Sequence, residues 1–409
     1  MSVTITDTPD TYTPAYNENI FVATSTAVAQ PNFRFRCEVQ DDTLTTLATV
    51  EVFPDANNNM VFDAHRIVEN YVTSNPTLTA MTELSMCAAS FKQYRLKITE
   101  RYGATLANHS SGASGGIYAF NAAQRWRDFT SWNKDTYFIK TGNTVNFLTN
   151  CPDNQNIYSN ENAFLHFGVQ ENLLAKRARV RTYNSAGALI QTVLIKNNYY
   201  NISLNDGGHI MRMPAGWNLN SITGGNIVMG AQPIITSSVS SWVIDIVDTD
   251  SGEDVTAVLT ETKTLTAQTE CTPHDSYRVH FLNALGGFDS FTFNRGHSQK
   301  DAIMKKTFEP VYGAVSGGLW SYAKTNQRYK DFYIESEETL KLNSDWITDE
   351  QSAWLRELVE SPEIYYELNG VMYSAHVKNA DYTTKLHVTD PIFNLEIELE
   401  TTKDIRQRW

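Results

Sequence analysis

The sequence predicts a mainly β fold with a minor α component, and three observations lead to this prediction. The chain of 409 residues contains 20 Tyr, 19 Phe and 8 Trp, which are residue types enriched in strands. Apolar and polar residues alternate in short segments, as they do in half-buried strands. Clusters of Asn, Gly, Asp and Ser separate these segments and predict turns. A chain of this length predicts two or three domains.

Residues 1–31 are predicted to form an extended arm, because Pro9, Pro14 and Pro31 prevent a regular helix through them. A β-rich domain with one helix follows over residues 32–150. The elements predicted for it are strands at 32–39 and 46–53, a helix after the N-cap residue Asp63, a strand at 94–102, an exposed loop at 104–116 and a short helix at 122–129. The helix after Asp63 has its apolar residues on one face, namely Ala64, Ile67, Val68, Tyr71 and Val72.

Residues 151–270 are predicted to form a central antiparallel β-sandwich. Their short strands are separated by turns rich in Asn and Gly, such as those at 184–187 and 205–208. The strands are predicted at 163–170, 178–183, 188–195, 201–204 and 241–247.

The last domain is predicted over residues 271–409 and contains one helix at 348–360. Thr348 and Gln351 have the spacing of a capping box, which marks the start of this helix. Its buried stripe is formed by Trp354, Leu355, Leu358 and Val359. Strands are predicted at 277–282, 290–293, 332–342, 364–368, 372–377 and 392–400. This segment and residues 32–102 share the order of strands, one helix and further strands.

The charge and hydropathy of the chain exclude two classes of partner. A net charge of −13 argues against general nucleic-acid binding, which needs a basic face to neutralise phosphates. The basic run at 176–181 alternates with apolar residues, and this pattern favours the polar face of a strand. No apolar run approaches the roughly 18 residues that span a bilayer. Residues 1–7 lack the features of a secretory signal, so synthesis in a cytoplasm is expected.

No cofactor or metal site is predicted. The four cysteines, Cys37, Cys87, Cys151 and Cys271, contain no CxxC pair and are expected to be unlinked thiols. The nine histidines form no HExxH or HxH motif.

No enzymatic activity is predicted either. Ser114 fits the letters of a nucleophile elbow, but the polar residues before it predict a loop instead of the buried strand that this motif needs. The acidic segment at 248–254 resembles a calcium loop, but Gly252 occupies the fifth position, where an oxygen ligand is required. A surface turn between strands explains its acidity better.

Aromatic residues in or near predicted loops are candidate contacts for a glycan or a protein interface, because they present a large rigid area. These residues are Tyr199, Tyr200, Trp217 and Trp320. For Trp217 the sequence leaves open whether the ring is exposed or buried. Burial in the core is favoured for Trp242, which lies in an apolar strand.

Several strings of residues carry a family resemblance. They are YRVHFLNALGGFD at 277–289, SDWITDEQ at 344–351, SPEIY at 361–365 and the alternating strand at 392–400, with YTPAYN at 12–17 and NFRF at 32–35 near the other end. They resemble tail proteins of phages that infect Bacteroidota. The resemblance covers about half of the chain and does not include the central third.

The resemblance implies tail-tube-like β-sandwich domains and a structural role in a virion. The chain would be a tail, ring or baseplate subunit that forms a homo-oligomer and contacts other tail proteins, made in the cytoplasm of the host bacterium. The alternative hypothesis is a receptor- or glycan-binding fibre or spike protein, which would use the central sandwich to bind a host surface glycan.

Overall fold

The computed structural model describes residues 3–74, 81–170, 174–200, 208–268, 276–368, 370–378 and 393–407. Of these described residues, 51% lie in strands and 9% in helices, which confirms the mainly β fold with a minor α component. The chain divides into two compact units. The first contains residues 1–270 and 281–290, and the second contains residues 271–280 and 291–409.

The N-terminal part of the first unit is a pair of sheets. The smaller sheet contains β1 (Val3–Asp7), β3 (Ile20–Ser25) and β6 (Asn59–Asp63), in the order β1-β3-β6. The larger sheet contains β2 (Tyr12–Pro14), β4 (Arg34–Asp41), β5 (Thr46–Val52), β8 (Phe91–Tyr102), β9 (Ala107–Ala113) and β10 (Ile117–Phe120). Its order is β2-β10-β8-β4-β5, with β9 also paired to β8.

Both of these sheets contribute to one apolar core, which makes the pair a sandwich. The strand predicted at 32–39 alternates in the structure as well, with its apolar residues inside and its charged residues further out. The fully buried side chains include Phe21, Ala23 and Met60 from the smaller sheet, and Phe35, Cys37, Val39, Leu96 and Ile98 from the larger one. Burial of each large apolar side chain contributes about 1.5–3 kcal/mol.

Three predictions for this part differ from the structure. Residues 1–31 are not a separate arm, because β1, β2 and β3 pair into the sheets and Phe21 is fully buried. The segment predicted as an exposed loop contains β9, whose small polar side chains do not show the alternation of a half-buried strand. The helices are single turns, α1 (His65–Val68) and α2 (Trp126–Phe129).

The central part of the first unit is a second pair of sheets. One contains β7 (Ser85–Met86), β11 (Phe138–Ile139), β13 (Phe164–Val169) and β16 (His209–Pro214), in the order β11-β13-β16-β7. The other contains β12 (Gln155–Tyr158), β14 (Arg177–Tyr183), β15 (Leu189–Lys196), β17 (Ile227–Met229), β18 (Ser241–Thr249), β19 (Val255–Val258) and β20 (Lys263–Gln268). Its order is β12-β20-β18-β14-β15-β17, with β19 on β18. The two sheets share one core, in which Trp242 and Phe167 are fully buried.

This sandwich is not wholly antiparallel as predicted. β11 pairs with β13, and β12 with β20, in parallel. Four of the five predicted strands are present as β13, β14, β15 and β18. The strand predicted at 201–204 and most of the turn at 205–208 lie outside the described residues.

A third apolar cluster joins the two pairs of sheets. Its members include Tyr12, Phe91, Phe120, Phe138 and Ile210. The turn at 281–290 belongs to the same unit: Leu285 is buried in this cluster, and Asn283 Nδ2 donates a hydrogen bond to the Leu148 carbonyl at 2.9 Å. The predicted boundary near residue 150 therefore falls inside one compact unit, because both sandwiches share aromatic side chains.

The second unit is built on a seven-stranded sheet. The strands of this sheet are β21 (Tyr277–Leu282), β22 (Phe288–Phe293), β23 (Ser298–Phe308), β26 (Lys330–Ile347), β27 (Ile364–Leu368), β28 (Val371–Val377) and β29 (Phe393–Gln407). β21 ends and β22 begins within the segment 281–290, which belongs to the first unit. Their order is β22-β21-β27-β28-β29-β26-β23, and a separate hairpin is formed by β24 (Ala314–Ser316) and β25 (Leu319–Ser321).

The helix of the second unit is α3 (Asp349–Glu360), which confirms the predicted element. Its capping box is present: Gln351 N donates to Thr348 Oγ1 at 3.3 Å, and Thr348 N donates to Gln351 Oε1 at 3.1 Å. The inward stripe is formed by Trp354, Leu355 and Leu358, which are all buried. Such a cap contributes about 1 kcal/mol.

Candidate assembly surface

A long β-ribbon extends the sheet of the second unit. β23 pairs with β26 in an antiparallel register that runs from Ser298↔Lys341 to Phe308↔Lys330. On its other side β26 pairs with β29. The hairpin of β24 and β25 lies in the connection between β23 and β26. We call residues 298–338 the ribbon.

The ribbon differs in burial from the rest of its sheet. All eleven residues of β23 are exposed. In β26, Leu340 and Leu342 near the base are buried, whereas none of residues 330–338 is. One strand therefore begins in the ribbon and ends in the core. The sequence patterns did not predict β23, β24 or β25, because a strand exposed on both faces has no period-2 hydropathy signal.

The ribbon exposes an unusual amount of apolar surface. Ten large apolar side chains between residues 303 and 332 are at least 45% exposed. They are Ile303, Met304, Phe308, Val311, Val315, Leu319, Trp320, Tyr322, Tyr329 and Phe332. Single exposed hydrophobic residues are common, but a concentration of this kind marks an interaction surface.

The segment that contains β23 and its connection to β26 is basic although the chain is acidic. Residues 295–330 contain seven Lys or Arg and two Asp or Glu, a net charge of +5 in a chain of net charge −13. Several of these cations have partners within the ribbon: Lys305 Nζ lies 3.7 Å from Asp331 Oδ2, Lys306 Nζ lies 5.1 Å from the centre of the Tyr333 ring, and Arg328 pairs with Glu309. Residues 331–338 add four acidic side chains, so the ribbon as a whole contains six Lys or Arg and six Asp or Glu and has no net charge. The ribbon is thus apolar, and its positive charge lies on β23 and on the connection to β26.

The tip of the ribbon is an aromatic cluster. The ring of Tyr312 lies edge-on to Trp320 at 6.1 Å and to Tyr322 at 5.5 Å. The guanidinium carbon of Arg328 lies 5.8 Å from the centre of the Tyr312 ring, and its Nε donates to Glu309 Oε1 at 2.7 Å. A cleft of about 760 Å³ is lined by Tyr312 and Tyr322 of this cluster and by neighbouring residues of the connection, such as Asn326 and Lys330. Trp320 remains 50% exposed.

The ribbon also offers a strand edge. β23 is the last strand in the sheet order, so one row of its backbone groups has no strand partner within the described ranges. Such an edge can pair with a strand of another chain. Lys300, Lys305 and Lys306 place positive charge along it, which restricts the partners that can pair there.

The predicted contact residues fall into two groups. Trp320 is exposed at the ribbon tip. Tyr199 and Tyr200 follow β15 in the first unit and are half-buried, and Tyr199 packs against the central core. Trp217 is also half-buried against that core, and its backbone N–H donates to the Glu161 carbonyl at 3.0 Å. Because its side chain is only partly exposed, Trp217 offers less of its ring for stacking on a sugar than Trp320 does. Trp242 is fully buried as predicted, and its indole N–H donates to the Ala215 carbonyl at 2.8 Å.

The basic run at 176–181 lies on β14 and is neutralised by acidic side chains. Asp245 of β18 is fully buried and accepts hydrogen bonds from Arg179 Nη2 at 2.6 Å and from Arg181 Nη2 at 3.1 Å. Arg177 Nε donates to Glu253 Oε2 at 2.6 Å. The guanidinium groups are therefore engaged across the sheet, which confirms the strand interpretation.

The two weak motifs have structural roles. Ser114 Oγ accepts a hydrogen bond from Leu96 N at 3.0 Å and donates to the Gly115 carbonyl at 2.9 Å, directly after β9. Asp250 Oδ1 accepts hydrogen bonds from the backbone of Gly252 and Asp254, both at 2.9 Å. The acidic segment is therefore the turn between β18 and β19.

No disulfide joins Cys37, Cys87 and Cys151 to one another, and Cys271 lies outside the described part of the chain. No cluster of three His, Cys, Asp or Glu side chains suited to a metal ion occurs among the residues that the structure covers. Across the same residues, no helix has both the length and the apolar character to cross a membrane.

Comparisons with known proteins do not assign a family. No protein-family model matches the chain, and no curated protein matches it. Among solved structures, it is similar to native alpha-2-macroglobulin from Escherichia coli spanning domains MG0-NIE-MG1, with 7% identity over 82% of this chain and 93% of that one. The TM-score is 0.20, a value at which the likeness carries no argument about fold or function.

Proposed function

We propose that this chain is a structural subunit of a phage virion, in a tail, ring or baseplate, and that it assembles into an oligomer through the ribbon. The single observation that carries the assembly proposal is the apolar ribbon, whose β23 is exposed along its whole length and carries Lys300, Lys305 and Lys306. The virion context comes from the resemblance of the strings at 277–289, 344–351 and 361–365 to phage tail proteins. The tail-tube-like character of the domains is part of the same proposal.

The partner that suits the ribbon best is a second copy of the same chain. Residues 295–330 carry a net charge of +5 and the remainder of the chain −18, of which −4 lies on residues 331–338 of the ribbon itself. Opposite charges on two surfaces of one molecule favour head-to-tail contacts between copies. The apolar side chains of the ribbon supply the burial that stabilises such a contact, and the lysines set its orientation.

A contact of this kind joins two different surfaces. Such heterologous contacts generate rings when the rotation between copies closes, and filaments when it does not. Rings and stacked rings are the architectures that a tail, ring or baseplate subunit requires.

Light scattering on two matched double variants tests the assembly proposal. V315D/L319D places two carboxylates on the ribbon tip, where Val315 and Leu319 are 67% and 76% exposed. L189D/I190D makes the same change on β15 of the first unit, where these side chains are 55% and 42% exposed. We expect the natural chain and L189D/I190D to form the same oligomer, and V315D/L319D to dissociate at least about tenfold more readily. Equal masses for the two variants, or a natural chain that stays monomeric at high concentration, would argue against the ribbon contact.

The ionic part of the contact has its own test. Salt at about 0.5 M screens most of the attraction between exposed groups of opposite charge. The oligomer is therefore expected to weaken with salt, and K305E/K306E is expected to weaken it further. Mass spectrometry and immunogold labelling of purified phage particles test the virion context separately, and particles without this chain would refute it.

A further inference from the structure

A cavity of about 230 Å³ lies between the N-terminal and central sheets of the first unit. Residues of β8 and β10 line it on one side, and residues of β16 line it on the other. Asp42 and Ala88 at its edge are exposed, so the cavity opens to solvent. Its volume far exceeds the roughly 30 Å³ of a single water and is sufficient for a sugar ring.

His209 is the polar group that most clearly lacks a partner here. Its side chain is 97% buried, since only 3% is exposed, and it lines the cavity. Neither Nδ1 nor Nε2 has a hydrogen-bond partner in the described part of the protein. Burial lowers the pKa of His209 to about 4, so the ring is neutral at pH 7 and offers one donor and one acceptor. A buried imidazole of this kind is stabilised by a ligand that both donates and accepts a hydrogen bond.

Aromatic rings form much of the remaining wall. Phe91 and Tyr118 are stacked with 5.4 Å between ring centres. Tyr71 also lines the cavity, and Lys92 Nζ lies 5.9 Å from its ring centre. Such rings bind the C–H faces of a ligand, because their surface is apolar and rigid.

The charges of the other polar groups that line the cavity sum to zero. Asp42 contributes one negative charge, Lys92 one positive charge, and Gln93 a neutral amide. Burial raises the pKa of the Cys87 thiol to about 11, so this lining group is also neutral. A cavity without net charge favours an uncharged ligand, and its several donors and acceptors favour a ligand with several hydroxyl groups.

We propose that this cavity binds one uncharged pyranose residue, either as a free monosaccharide or as the terminal residue of a glycan. Its hydroxyl groups would hydrogen-bond with His209 and Gln93, and its C–H face would pack against the aromatic wall. The site is distinct from Trp217, Tyr199 and Tyr200, and it does not depend on assembly through the ribbon.

Saturation-transfer NMR on the full chain tests this, with the methyl glycosides of glucose, galactose, mannose and N-acetylglucosamine as probes. At least one is expected to bind saturably and to shift the ¹⁵N resonances of the His209 ring. H209L is expected to weaken binding at least about tenfold, through loss of both hydrogen bonds. H109L is the matched control, because His109 is exposed on β9 and stacks on Tyr102 instead. Its affinity is expected to match that of the natural chain.

A second variant keeps the test decisive if H209L does not fold. Q93L removes the amide from the cavity and is expected to weaken binding as well, with folding checked by thermal unfolding. Tetrasaccharides that end in the same sugars distinguish a glycan terminus from a free monosaccharide as the ligand. Tighter binding of the tetrasaccharide than of the methyl glycoside indicates a glycan terminus, and equal binding indicates a free monosaccharide. The proposal is overturned if none of the four glycosides binds saturably, or if a folded H209L or Q93L binds as well as the natural chain.

Discussion

Trp320 lies directly against the backbone of Gly313 at the ribbon tip. A β-carbon at Gly313 would stand 2.6 Å from Cζ2 of the indole and 2.7 Å from the carbonyl oxygen of Ser321. β-Carbons do not approach other atoms so closely, so the position of the indole requires glycine at residue 313. Because the ring is held by local packing and remains half exposed, it is preorganised for a partner, and preorganisation lowers the entropy cost of binding.

Replacement of Gly313 by valine is therefore expected to displace Trp320 and to weaken the oligomer about tenfold. The measurements are tryptophan fluorescence for the displacement and light scattering for the assembly. Gly296→Val is the control, since a β-carbon there meets no atom within 4 Å. If both variants assemble as the natural chain does, Trp320 takes no part in the contact.

The buried carboxylate of Asp245 is expected to be important for the stability of the first unit. Asp245→Ala leaves Arg179 and Arg181 without their shared acceptor, and loss of one partner of a buried ion pair costs about 3–5 kcal/mol. The exposed pair of Arg356 and Glu360 on α3 provides the comparison, because Glu360→Ala should cost at most about 0.5 kcal/mol. Urea unfolding measures both free energies, and similar costs would contradict the assigned role of Asp245.

The stability of the first unit is expected to fall as the pH falls below about 6.5. The pKa of His209 is about 4 in the folded chain and near 6.5 in the unfolded chain, so the unfolded chain takes up the proton first. The contribution of neutral His209 to the free energy of unfolding is fully present above pH 6.5 and is lost as the pH falls from 6.5 to 4. Asp42 and Lys92 line the same cavity, and burial also lowers the pKa of His166.

Comparison of the natural chain with His209→Leu isolates the effect of this histidine, because the other groups are common to both. Between pH 7 and pH 5 the variant should lose about 2 kcal/mol less unfolding free energy. Urea midpoints at the two pH values provide the measurement. Equal losses in the two proteins would show that His209 does not titrate in this window.

The sequence was sufficient to predict elements that have one buried face. The strand predicted at 32–39, the capped helix α3 and the alternating residues of β29 are all found in the structure, because hydropathy period and capping chemistry act locally. Trp242 was assigned to the core for the same reason. The arm at residues 1–31 was wrong, because its pairing depends on distant strands that no local pattern encodes.

The sequence patterns did not predict most of the candidate assembly surface. β23 has no alternation to detect, since each of its residues is exposed. Only Trp320 was selected, as an aromatic residue in a predicted loop. A usable signal was the excess of Lys and Arg in residues 295–330 against an acidic chain, together with its apolar residues. The cavity beside His209 is lined by residues 42, 71, 93, 118 and 209. These residues are far apart in the sequence, so no local motif could predict that they share a site.

Photocrosslinking from the ribbon tests the central claim most directly. Leu319, which is 76% exposed, is replaced by p-benzoylphenylalanine, and the crosslinked residues are identified by mass spectrometry after irradiation. Mixing isotopically labelled and unlabelled chains separates links between copies from links within one copy. We predict mixed-label links from residue 319 to an acidic surface of a second copy. Links confined to one copy, or none under conditions where the chain is oligomeric, would contradict assembly through the ribbon.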